Sequence, residues 1–251
     1  MKHKTLIKVL LIVLILVFLA SGGALLWKQL DYWNGEKNYD QASTTANLEL
    51  PADPAPEAQD PYRTAMEEID LTALQAVNPD VVGWIMVPET DISYPLLQAD
   101  DNSYYLNRTW DGSRNSVGAI FLDYRNSSDL HDFNTVIYGH KMNNTSMFGQ
   151  LHQYKNEGYW AAHPVLYVAD STGVRKFDIF AYYETSTMNT YSLDFPDQAS
   201  RQAYIEECLG QSWLNTGIVP EPDDCILTLS TCTGNGHTTR WVVQAVWSAS
   251  N

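Results

Sequence analysis

Cysteine is scarce in this chain of 251 residues, which holds three: Cys208, Cys225 and Cys232. An odd count excludes a fully paired disulfide framework, and a chain of this length can fold on a hydrophobic core without staples. A Cys208–Cys225 bridge would leave Cys232 free; the simpler arrangement has Cys208 packed on a helix, Cys225 in a strand and no bridge. Basic residues are scarce as well. There are 15 against 30 acidic ones, and Lys2, Lys4 and Lys8 lie in the first eight positions, so 15 less 3 leaves 12 for the rest of the chain. Binding phosphate needs a basic face, which argues against a nucleic-acid partner. The acid excess serves solubility. No internal repeat is present.

What the chain does have is one long apolar run. Residues 9–27 carry no charge, and as a helix they would be about 28 Å long, the thickness of a bilayer core. The lysines ahead of the run favour a cytoplasmic N-terminus, which puts the remainder outside the cell membrane. A cleaved signal peptide is the competing reading, since residues 20–24 are mostly small. The run continues through Leu25, Leu26 and Trp27, longer than the usual signal core, and favours a retained anchor over residues 1–27. Residues 28–61 turn polar and end rich in proline and alanine. They read as an extracytoplasmic linker, helical in part near residues 32–39, that would span about 30 Å if flexible.

Residues 62–251 read as the folded domain. Helical spacing at Met66, Ile69, Leu74 and Val77, closed by Pro79, predicts a helix over 63–77. Strand patterns follow at 81–87, 92–98, 118–124, 134–138, 165–169 and 176–184, with a short helix at 146–153. Short strands separated by turn residues predict a mostly β domain, a closed or nearly closed barrel. Between the sixth and seventh strands lies an insertion, 185–224, in which Asp197 caps a helix over 198–209.

The seventh strand carries the chemistry. Residues 226–232 alternate, with Thr228, Ser230 and Cys232 on one face and Leu227, Leu229 and Thr231 on the other. A seven-residue loop, 233–239, leads to a last strand at 240–247, so Cys232 and Arg240 can face one pocket across a hairpin. Cysteine attacks as its thiolate and needs a neighbouring base or cation near neutral pH. His140, after the strand 134–138 and a flexible Gly139, is the candidate. His237 is the rival base, but it lies in a glycine-rich turn without rigid support. Arg240 supplies a planar, permanently charged fork for a carbonyl or a developing oxyanion. Ser230, Thr231 and Tyr138 are candidate substrate-binding residues. His131, His152 and His163 read as surface or capping residues.

Tyr138-Gly139-His140, the Asn144–Leu151 segment with Met147, Phe148 and Gly149, Thr228-Leu229-Ser230-Thr231-Cys232 and Arg240 occur in one order. Together they resemble a sortase of class B, over roughly residues 78–247. The resemblance implies a closed sortase-type β-barrel of about eight strands, with an N-terminal helix and a long helix before the penultimate strand. It also implies a cysteine transpeptidase with His140, Cys232 and Arg240 as catalytic residues and no metal or organic cofactor. The expected reaction cleaves a C-terminal sorting motif of secreted proteins after threonine. Its acceptor would be an amine of Gram-positive peptidoglycan, of its lipid-linked precursor or of a pilin. Asp60-Pro61-Tyr62 resembles the Asp-Pro-aromatic lid of pilin-building class C sortases. Thr233, where many class B members are acidic, and the short Cys-to-Arg loop depart from the pattern and bear on substrate preference.

Three other readings stand beside this one. A papain-like wall hydrolase would place its cysteine before its histidine, the reverse of the order here. A membrane-tethered binding domain with a dead site would not need an intact Cys, His and Arg set. A zinc site from Cys232, His237 and His140 is the third, and metal analysis would test it.

Overall fold

A computed structural model describes residues 2–50, 60–234 and 236–247. Eight strands close into a barrel in the order β1-β2-β3-β4-β7-β8-β6-β5. They are β1 (Val81–Met86), β2 (Ser93–Leu97), β3 (Ile120–Leu122), β4 (Asn134–Tyr138), β5 (Val165–Asp170), β6 (Gly173–Thr185), β7 (Cys225–Gly234) and β8 (Gly236–Trp247). The pairs β2–β3 and β4–β7 are parallel and the other six antiparallel. Closure leaves no unpaired sheet edge. Alternation divides β7 as its sequence predicts: Leu227 and Leu229 join the barrel interior with Ile137, Val243 and Ala245. Ile226, on the opposite face, joins an outer cluster under the helix at 198–211.

Among the described residues there are five α-helices: α1 (Lys2–Thr45), α2 (Pro61–Glu67), α3 (Leu71–Val77), α4 (Glu157–Ala162) and α5 (Gln198–Gln211). The expected helix before the penultimate strand is α5, and Asp197 caps it in a reciprocal box with Ser200. Its Tyr204, Ile205 and Cys208 pack on the outer face of β6, β7 and β8.

The structure differs from expectation in four places. The single helix expected over 63–77 is two, because Asp70 accepts a hydrogen bond from the Ala73 amide and starts a second helix. The segment expected to be helical at 146–153 is a 3-10 turn over Gly149–Lys155 followed by α4. The loop expected to run over 233–239 is mostly strand. Pairing continues to Gly234 and Gly236, with Gly234 at φ +88° taking the turn and the Thr233 and Thr239 hydroxyls 2.8 Å apart across it. Runs of β-branched threonine favour this extended continuation.

The fourth difference concerns the stretch expected to be a flexible tether. Helix α1 runs unbroken from the apolar segment through Thr45 and ends in a Schellman turn, with Asn47 at φ 54° and the Leu48 amide donating to the Ser43 carbonyl. Its second half rests on the barrel. Tyr39, Ala42 and Ala46 are buried there, and Asp31 accepts hydrogen bonds from the Ser116 amide and hydroxyl. Residues 51–59, the proline-rich part, lie outside the described residues. At the resembled lid, Asp60 caps α2 and accepts a hydrogen bond from Tyr167 on β5, so it is engaged by a strand remote from β7 in the barrel order.

Candidate active site

The register of three strands brings the predicted residues together. β4 and β7 are parallel with Tyr138 opposite Ser230, and β7 and β8 are antiparallel with Cys232 directly opposite Arg240. Two steps beyond Tyr138 is His140 and two beyond Ser230 is Cys232, so period-two alternation sends both toward one rim of the barrel. Two links join the strand ends past the pairing. The Gly139 amide donates to the Ser230 carbonyl at 3.2 Å, and Lys141 Nζ donates to the Thr233 carbonyl at 3.0 Å. A side chain at 139 would have to displace its neighbours, since a Cβ would lie 2.4 Å from Ile120 Cδ1 and 2.7 Å from the Phe148 ring.

His140, Cys232 and Arg240 line one open cleft of about 270 Å³ together with Tyr138, Gly139, Ser230 and Thr231. Asn102, Leu106 and Phe121, from the β2–β3 connection and β3, complete it. His140 Nε2 lies 2.6 Å from the Leu106 carbonyl oxygen. A carbonyl only accepts, so Nε2 carries the proton and Nδ1 is the nitrogen left for proton exchange. Arg240 Nη1 donates to the Thr239 carbonyl at 3.0 Å. A second cleft of about 260 Å³ adjoins the first and shares Tyr138 and Arg240 with it. Thr185, Ser186, Thr187, Met188 and Tyr191 of the insertion, with Thr238, form its walls.

The other predicted residues differ in how they are held. Ser230 Oγ is 2.9 Å from the Tyr191 hydroxyl. Thr231 Oγ1 is buried and has no hydrogen-bond partner among the described residues. Tyr138 presents its ring to the cleft, while its hydroxyl donates to Asp123 Oδ2 at 3.0 Å. Asp123 is fully buried, and Arg125 and Asn102 also donate to it. Burial alone would raise its carboxyl, but these hydrogen bonds outweigh it and hold the group down at about 2. Asp123 is therefore a fixed anion behind the cleft wall.

His237 lies near the start of β8, and its side chain is outside the described residues. His152 and His163 place Nδ1 on the backbone carbonyls of Gly149 and Pro88. All three cysteines are free thiols. Among the described residues, no three His, Cys, Asp or Glu side chains gather as a metal site.

Asn102, Leu106, Phe121, Tyr191 and Lys141 join the site without having been expected there from sequence. Leu106 acts through a backbone carbonyl, which leaves no mark in side-chain pattern. Tyr191 sits in an irregular insertion. Lys141 follows the histidine directly and could have been suspected from that position alone.

A family model described as Sortase domain matches residues 85–248. The chain belongs to the sortase family. Sortase B of Listeria monocytogenes is 38% identical over 164 residues, covering 65% of this chain and 67% of that protein. The crystal structure of sortase B from B. anthracis in complex with AAEK1 matches with a TM-score of 0.73 and 31% identity, covering 87% of this chain and 98% of that one. A Staphylococcus aureus sortase B–substrate complex matches with a TM-score of 0.74 and 27% identity over the same shares. The sortase is of class B, and with the family comes its chemistry, cysteine transpeptidation between sorting-signal proteins and amine acceptors. Its apolar N-terminal helix, more than half exposed at most positions of 6–19, is long enough to cross a membrane.

Proposed function

We propose that Cys232 is the nucleophile of this transpeptidase, His140 its general acid and base, and Arg240 the cation that holds the scissile carbonyl. The observation that carries this reading is the shared cleft, with Cys232 and Arg240 as direct register partners and His140 on the same rim. In the first step, Cys232 Sγ attacks the carbonyl of a threonine in the sorting motif, and the thiol proton passes to His140. Arg240 offers two N–H donors to the oxyanion, which an ammonium could not do in the same plane. His140 then returns the proton to the departing amine, leaving a thioester on Cys232. In the second step, an acceptor amine attacks the thioester. It gives its proton to His140, and the thiol leaves with the proton restored.

Ser230, Thr231 and Tyr138 bind the motif along the cleft that all three line. The acceptor is an amine of peptidoglycan, of its lipid-linked precursor or of a pilin subunit. Residues 1–27 anchor the chain in the cell membrane with the barrel, residues 62–251, on the extracytoplasmic side. Residues 28–61 connect the two. The test is to trap the acyl-enzyme with a sorting-motif peptide and locate the adduct by peptide mass spectrometry. The expected site is Cys232; an acyl group on Cys208 or Cys225 would overturn the assignment.

A further inference from the structure

Helix α1 is more than an anchor, because its second half touches the two loops that hold His140. The first loop is the β2–β3 connection. Tyr39 donates its hydroxyl to the Gly118 carbonyl at 2.6 Å, a buried bond across 79 positions of sequence. Gly118 has φ +64°, a conformation that favours glycine. A Cβ there would lie 2.7 Å from His140 Cδ2 and 2.9 Å from the carbonyl oxygens of Leu106 and Tyr105. The backbone of Gly118 is thus flush against the imidazole, and beside the carbonyl that accepts from its Nε2.

The second loop follows His140. Its backbone closes on the histidine through the Phe148 amide, which donates to the His140 carbonyl at 3.0 Å. The neighbouring Met147 amide donates to the Tyr94 hydroxyl at 2.9 Å. The Tyr94 ring meets the Tyr39 ring edge to face, with centroids 5.2 Å apart. Asn144 of the same loop donates to Glu36 of α1 at 2.9 Å. One turn of α1 therefore grips both sides of the histidine, once through Tyr39 and Gly118 and once through Glu36 with the Tyr39–Tyr94 pair.

We infer that the membrane-proximal half of α1 is part of the active-site scaffold, and that Tyr39 is a positioning residue that locks the His140 ring with Nε2 on the Leu106 carbonyl. The catalytic meaning of this lock rests on His140 being the acid and base; the lock itself does not. If the Gly118 carbonyl loses its donor, the loop between Tyr105 and Gly118 is no longer pinned to the helix. The imidazole is then free to leave Leu106 and exchange tautomers. The active centre is in this way coupled to the segment that enters the membrane.

The test uses the full chain in detergent micelles with 15N-labelled histidine. Two-bond nitrogen–proton spectra report which ring nitrogen of His140 carries the proton, and a His140→Gln spectrum identifies its signals. Wild type is expected to show one tautomer, Nε2–H. Tyr39→Phe keeps the ring that packs on Tyr94 and removes only the hydroxyl. It should raise the Nδ1–H form above about a tenth of the population and lower kcat/KM about tenfold, the size of one buried hydrogen bond. Trp110→Phe removes a different bond of the same dock, from Trp110 Nε1 to the Asn38 carbonyl, and should leave the tautomer unchanged. A single Nε2–H tautomer in Tyr39→Phe, or equal mixing in Trp110→Phe, would overturn the inference. Mixed tautomers with unchanged turnover would leave the lock standing and remove His140 from the role of acid and base.

Discussion

Two halves of one surface can be compared on the outer face of β4, β7 and β8. In the covered half, Asn134, Thr228 and Gln244 sit under α5 and the insertion. Thr228 donates to Asn134 Oδ1 at 2.7 Å, and Gln244 donates to Thr228 Oγ1 at 3.0 Å and to the Tyr204 hydroxyl at 2.9 Å. Tyr204 and Asn134 in turn donate to the Thr190 carbonyl. In the open half, on the same strands and the same face, are Tyr138, Ser230, Cys232 and Arg240, and these line clefts. The difference lies in what polar groups are paired with. Where a lid of helix covers them, they bind one another and stiffen the sheet; where it stops, the same strands line open clefts. The covered half also fixes Thr190, and so the neighbouring Tyr191 that meets Ser230.

The comparison can be broken most sharply at Cys232. Cys232→Ala should abolish both cleavage and transfer of a sorting-motif peptide with the circular dichroism spectrum unchanged, whereas Cys208→Ala and Cys225→Ala should keep turnover. Next is His140→Ala, expected to lose several orders of magnitude in kcat/KM, since a positioned acid and base contributes about 10²–10⁴-fold; His237→Ala should lose little. Steady-state rates of all these variants on one peptide decide the matter, and an inactive His237→Ala would move the base into β8.

Arg240→Lys keeps the charge and removes the fork, so a fall of about a hundredfold in kcat is expected, the size of one lost oxyanion donor. Rates near wild type would show that charge alone suffices. Tyr204→Phe attacks the covered half instead. It should lower stability by about 1–3 kcal/mol, read as the midpoint of urea unfolding, and change kcat by no more than about threefold. A loss of activity as large as that of Arg240→Lys would show that the two halves are not separable.

The smallest effect at neutral pH concerns Asp123. Its carboxyl sits at about 2 in the folded protein, below the ordinary value of 3.8. A depressed carboxyl stabilises fully above the unfolded value, and that contribution is lost as pH falls from about 4 through about 2. Unfolding midpoints of wild type and Asp123→Asn should therefore differ at pH 6 and converge toward pH 2. A difference that persists at pH 2 would assign the effect to shape rather than charge.

Much of this was legible along the chain because it is local. Alternation at 226–232 sorted Leu227 and Leu229 inward from Thr228 and Ser230, and Asp197 marked the start of α5. Even here, local signals failed where another local signal competed: Asp70 broke a helix that apolar spacing had made continuous, and threonines extended a hairpin that glycines had suggested would open.

The sequence by itself determined the apolar segment, the strand faces of the barrel, the capped helix before β7 and the triplet His140, Cys232 and Arg240 as the residues to watch. Only the tertiary structure decided the parallel pairing of β4 with β7 that sets Tyr138, two residues before His140, opposite Ser230, two before Cys232, the Leu106 carbonyl that sets the imidazole tautomer and the docking of α1 on the loops around it. The reason is physical. Periodicity and capping are set by neighbours within a few residues, whereas register between distant strands, a backbone acceptor and the resting place of a helix depend on how the closed barrel distributes its buried surface and hydrogen bonds.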